Sequence, residues 1–90
     1  MAKANVDPAE LRRFARDLAR FSNDLQGLMS GLHAKLRGLE KTWRDQEHTK
    51  FAEEFEQTLR VLAKFNDAAI RHIPFLLRKA ERVDEYLQQR

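Results

Sequence analysis

The sequence contains no cysteine, which excludes disulfide staples, thiol catalysis and cysteine-based metal sites. That absence fits a reducing cytoplasm and equally an exported protein that folds without oxidation. Only two prolines and three glycines interrupt the 90 residues, and nothing resembles a glycine-rich phosphate loop. No apolar run approaches the roughly 18 residues needed to cross a bilayer. Met1-Ala2-Lys3-Ala4-Asn5 is not followed by the apolar core of a signal peptide, so any export is expected to proceed without a cleaved leader. Charge of one sign is lacking too. Seventeen basic and 14 acidic residues leave a net charge of +3, a mixed surface and not a nucleic-acid-binding tract.

What is present is helical periodicity. Asp7-Pro8-Ala9-Glu10 supplies a capping carboxylate, a proline where its missing N–H costs nothing, and a glutamate at the reciprocal capping position. From there Leu11, Phe14, Leu18, Phe21, Leu25, Leu28 and Leu32 recur at steps of three and four, continuing through Leu36, Leu39 and Trp43. A polar break follows, with Asp45 placed to cap a second helix. That second stretch carries Phe51, Phe55, Leu59, Leu62, Phe65, Ala69, Ile73, Leu76, Ala80, Val83 and Leu87 on one stripe. The expected architecture is all-α, an antiparallel two-helix hairpin forming one domain over 1–90. Helix one should run over about 8–41, the turn over 42–46 and helix two over 47–88. Pro74 is expected to kink helix two and not to split it, because His72-Ile73-Pro74-Phe75 offers no residue to cap a restarted helix.

A dimer or hairpin seam is assigned to Phe14, Leu18, Phe21, Leu25, Leu28 and Leu32 on helix one, and to Phe51, Phe55, Leu59, Leu62, Phe65 and Ile73 on helix two. Two helices cannot cover that much apolar surface. Two hairpins packed together close it into a four-helix bundle, so a homodimer or a heterodimer with a related hairpin is expected. The polar faces carry neighbouring opposite charges, among them Arg13 with Asp17, Arg20 with Asp24, Glu56 with Arg60, Asp67 with Arg71 and Arg82 with Glu85. Each such pair supports helicity by about 0.2–0.5 kcal/mol and carries no function by itself. Gly27 and Gly31, four apart in a helix, read either as a tolerated loss or as a place where two backbones approach closely.

Catalysis finds little to work with. His33, His48 and His72 are too far apart to share a helical turn, and none stands in a metal-binding pair. Ser22 and Ser30 have no neighbouring base, and Glu53, Glu54 and Glu56 lie near the positive end of helix two. No catalytic residue, cofactor or metal is assigned, and the chain is expected not to be an enzyme.

The turn reads Leu39-Glu40-Lys41-Thr42-Trp43-Arg44-Asp45, with Phe51 eight residues after the tryptophan. A lone tryptophan in the mid-chain turn of a short helical hairpin, with an aromatic at that distance, resembles the WXG family of ESAT-like (early secreted antigenic target) proteins. The resemblance implies a small dimeric hairpin secreted by a type VII (ESX) system, as a substrate or as the partner of a larger effector. It implies that Trp43, Arg44 and Asp45 form half of a surface recognised by the secretion ATPase, the other half coming from the partner's C-terminal region. Two departures stand out. Asp45 occupies the family's glycine position, and Tyr86, where the family's Tyr-x-x-x-Asp/Glu export signal falls, is followed four residues later by Arg90. That assigns the signal to a longer natural C-terminus or to the partner subunit. The competing class is a cytoplasmic dimeric adaptor, touching nucleic acid weakly through Arg12, Arg13, Arg16 and Arg20. Interleaved Asp17 and Asp24 and the want of a stacking platform weigh against nucleic acid. Membrane insertion is not expected.

Overall fold

Both helices begin where a carboxylate meets free backbone amides. In the computed structural model, which describes residues 6–89, Asp7 has an extended backbone and its Oδ1 accepts from the Ala9 N–H at 2.9 Å. Pro8 follows at the first helical position, and α1 spans Pro8–Leu39. Asp45 repeats the device for α2, Gln46–Gln88, its Oδ1 accepting from the His48 N–H at 3.0 Å. Glu10 does not complete a capping box but pairs with Arg13. Residues 1–5, on which the expectation of a leaderless start rests, and Arg90 lie outside the described residues.

Helix one stops at Leu39, short of the expected 41. The amides of Lys41 and Thr42 bond to carbonyls three residues back, Gly38 and Leu39, so the last turn tightens before the chain reverses. Helix two runs through Pro74 without a break. Pro74 and Ile70 are both exposed, so the bond that proline denies to the Ile70 carbonyl is lost on the solvent side of the helix, where its loss costs least.

The two helices lie against each other, α2 being the longer with 43 residues against 32 in α1. The result is a rod of 70 × 16 × 14 Å with a Cα radius of gyration of 20.5 Å, against about 12 Å for a compact domain of this length. A rod this thin has no interior for large side chains. Its buried apolar residues are Ala15, Leu36, Ala69, Ala80 and Val83, and among the described residues no large side chain is fully buried. Ala15, Ser22, Met29 and Leu36, seven apart, form the innermost line of α1. Seven-residue lines on α2 through His48, Phe55, Ala69 and Val83, and through Leu59, Asn66, Ile73 and Ala80, face it.

The residues expected at a dimer or hairpin seam fall into two groups in the single hairpin. Leu18, Leu25, Phe55, Leu59 and Ile73 are half-buried between the helices, whereas Phe14, Phe21, Leu28, Leu32, Phe51, Leu62 and Phe65 are exposed. The reason is distance: the backbones come together where side chains are small, and the larger residues are displaced to the flank. Midway, the buried Asn66 side chain donates to the Ser22 carbonyl at 3.3 Å, pinning one register between the helices. Arg12 and Asp84 close the open end at 2.5 Å. Both side chains are partly exposed, so this pair adds well under about 1 kcal/mol. The expected ladder of neighbouring ion pairs is not the one formed. Arg13 turns to Glu10 and Arg60 to Gln57, because exposed side chains choose among near-equal partners.

Ala80, with no exposed surface, tests the close approach. Ala80→Leu should wedge the helices apart and cost about 1–3 kcal/mol, read as a lower urea midpoint; an unchanged midpoint would show that the helices do not meet there.

Candidate functional site at the turn and along one flank

At the closed end the chain reverses over six residues between Leu39 and Gln46. The Trp43 N–H donates to the Leu39 carbonyl at 2.8 Å, and the Arg44 Nε–H to the Glu40 carbonyl at 3.2 Å. These bonds fold the turn back on the end of α1. Trp43 is thereby held half-buried across the mouth of the hairpin. Its ring meets His48 edge-on, with centroids 5.1 Å apart, and leans on Phe51 at 5.7 Å. Phe51 in turn stacks on Phe55 at 5.7 Å. The outcome is an aromatic cap continuous with α2.

His48 is the residue that the sequence did not single out here. It is buried, its Nε2 has no hydrogen-bond partner, and it forms the floor beneath the tryptophan. The available signal was its place seven residues before Phe55, on the line facing α1. Around this cap Arg44 and Asp45 remain exposed, a guanidinium and a carboxylate presented side by side.

Tyr86 is exposed near the far end of α2. In a 70 Å rod it is therefore not brought together with Trp43, Arg44 and Asp45 of its own chain. Of the arginines considered for nucleic acid, Arg12 and Arg13 are tied to Asp84 and Glu10. His33 approaches Glu56 at 3.9 Å, and no cluster of metal-binding side chains occurs among the described residues.

The second feature is a flank. Phe14, Phe65, Ala68, His72 and Phe75 line one groove together with the edges of Leu18 and Leu76. Exposed Phe14 of α1 and Phe65 and Phe75 of α2 thus share one side of the rod. No helix among the described residues is long and apolar enough to cross a membrane.

A family model described as proteins of 100 residues with WXG (WXG100) matches residues 3–86. The chain belongs to the WXG100 family. Its fold is also that of a solved structure, a mutant of the secreted protein EsxB from Bacillus anthracis str. Sterne. The TM-score is 0.77 at 21% identity, covering 100% of this chain and 99% of that one. No curated protein matches the chain significantly.

The WXG motif itself is Trp43-Arg44-Asp45 in this member, and its geometry explains the departure at the third position. Asp45 has φ −90° and ψ −179°, an extended conformation open to any residue, so nothing in the backbone demands glycine. An aspartate there adds a cap that glycine lacks. Asp45→Ala should accordingly lower stability by about 1 kcal/mol and Asp45→Gly by only a few tenths. Thermal melts followed by circular dichroism check the order; equal losses would remove the capping role.

Proposed function

We propose that this protein is a secreted, non-enzymatic substrate or partner protein of a type VII secretion system, exported as a folded hairpin paired with another. The observation that carries this reading is the family match over 3–86 combined with a tryptophan-capped turn at the rod's closed end. The fold shared with EsxB, itself described as a secreted protein, supports it. So does the apolar flank, which needs a partner to be covered.

In this reading the chain acts by packing. Trp43, stiffened from below by His48 and Phe51, presents a fixed apolar plate beside the charged pair Arg44 and Asp45. A rigid plate loses little entropy on docking, and the flanking charges orient whatever meets it. The secretion ATPase is the proposed reader of this surface, and the C-terminal region of the partner hairpin supplies the other half. A larger effector as the partner fits the same scheme.

Release of the protein into the culture medium, measured with and without a working type VII ATPase and with a cytoplasmic marker to exclude lysis, tests the reading. ATPase-dependent release is expected; retention in both strains would overturn it. Trp43→Ala should reduce release to the level of the marker while the mass of the paired species stays unchanged. Undiminished export of that variant would remove the turn from recognition.

A further inference from the structure

Among the described residues, three buried side chains carry a polar atom without a partner: Ser22, Asn66 and His48. The first two belong to one layer, where Asn66 donates to the Ser22 carbonyl and fixes the register of the helices. His48 has no such bond. It is 6% exposed, and its Nε2 reaches nothing. The other members of its seven-residue line, Phe55, Leu62, Ala69, Leu76 and Val83, are all apolar, so the seam by itself gives no reason for an imidazole here. A leucine or a phenylalanine would avoid desolvating a ring nitrogen. What sets position 48 apart from the rest of the line is its neighbour, Trp43.

We infer that His48 is a positioning residue that keeps the tryptophan plate releasable: Trp43 meets its reader packed on His48, tilts away once held, and leaves Nε2 with a hydrogen bond that it lacks in the free chain. The inference rests on reading the turn as the surface that the secretion ATPase recognises, and adds what happens there after contact.

The geometry separates what can move from what cannot. The Trp43 backbone is fastened through its N–H to the Leu39 carbonyl at 2.8 Å, and the His48 backbone through its N–H to Asp45 Oδ1 at 3.0 Å. Between the two side chains there is ring contact, edge-on with centroids 5.1 Å apart, which a change of tilt weakens without breaking a directional bond. Trp43 is itself only half-buried, and Thr42, Arg44 and Asp45 around it are exposed, so the indole borders solvent. A change of its rotamer uncovers Nε2 and leaves the turn and the cap of α2 in place. Asp45, the third residue of the motif, holds His48 beneath the plate throughout.

The unpartnered nitrogen decides how readily the plate lifts. While Trp43 stays packed, Nε2 is desolvated and unbonded; once the indole tilts, water or a polar group of the reader reaches it. With an apolar residue at position 48 the same movement would expose apolar surface and gain no bond. Satisfying one such atom raises the population of the lifted state by about tenfold. A reader shifts an equilibrium only by its differential affinity for the two states, so one that takes the indole into an apolar slot has correspondingly less to overcome.

Because the chain has a single tryptophan, its fluorescence reports on the cap alone. In the full-length protein His48→Phe keeps a ring against Trp43, and His48→Leu lies closer to histidine in size; both remove the nitrogen. Each should raise the urea midpoint and shield Trp43 from quenching by acrylamide, while ATPase-dependent export falls by about tenfold. His48→Gln, whose amide reaches the place of Nε2, should return export towards the native level without the gain in stability. A merely structural role would move stability and export in the same direction. Undiminished export of both apolar variants, or midpoints and quenching no different from native or changed in the opposite sense, would overturn the inference and leave the secretion reading standing. Retention of the native chain with and without the ATPase would overturn both together.

Discussion

The close approach of two helices at small side chains is the constraint from which the rest of the molecule follows. Ala15, Ser22, Ala69 and Ala80 let the backbones come together, and a contact that narrow cannot also house phenylalanine. Large residues such as Phe14, Phe65 and Phe75 are displaced to a flank, where they stay wet in the single chain. The hairpin is thus held by many small contacts, while most of its aromatic surface is left for someone else. The contacts that hold the hairpin and its exposed aromatic surface thus lie on two different faces of the same helices.

That division explains why the polar residues in the seam are tolerated. Asn66 and Ser22 form one buried bond between the helices, yet Asn66 Oδ1 and Ser22 Oγ have no partner. An alanine at either place would avoid the desolvation cost, but a seam of small apolar residues repeating every seven would fit equally well after slipping by one repeat. A single polar layer makes the slipped alignments worse. Because the flank residues ride on the same helices, fixing the seam also fixes which exposed residues stand level across the face.

The sequence made local features legible and distance-dependent ones less so. Both caps were readable, since Asp7 and Asp45 act within three residues of themselves. The tryptophan turn was readable because Trp43 has no other partner at that end of an apolar stripe. The inner line was not, because ranking residues by size picks out Phe14 and Phe21, whereas the approach of two backbones is decided by Ala15 and Ser22 one position away. Ser22, Asn66 and His48 were passed over for a similar reason: polar side chains carry no apolar period, and only burial reveals their place. The exposed ion pairs were misassigned because Arg13 has acids on both sides and little energy separates them.

The ends of α1 and α2 lie together at the open end of the rod, fastened by Arg12 and Asp84, whereas Trp43 closes the other end. A force that draws those two helix ends apart from each other therefore acts perpendicular to the seam in the manner of a zipper, not along it as a shear. Contacts separate one seven-residue layer after another, beginning with the partners most distant in sequence and ending at the aromatic cap.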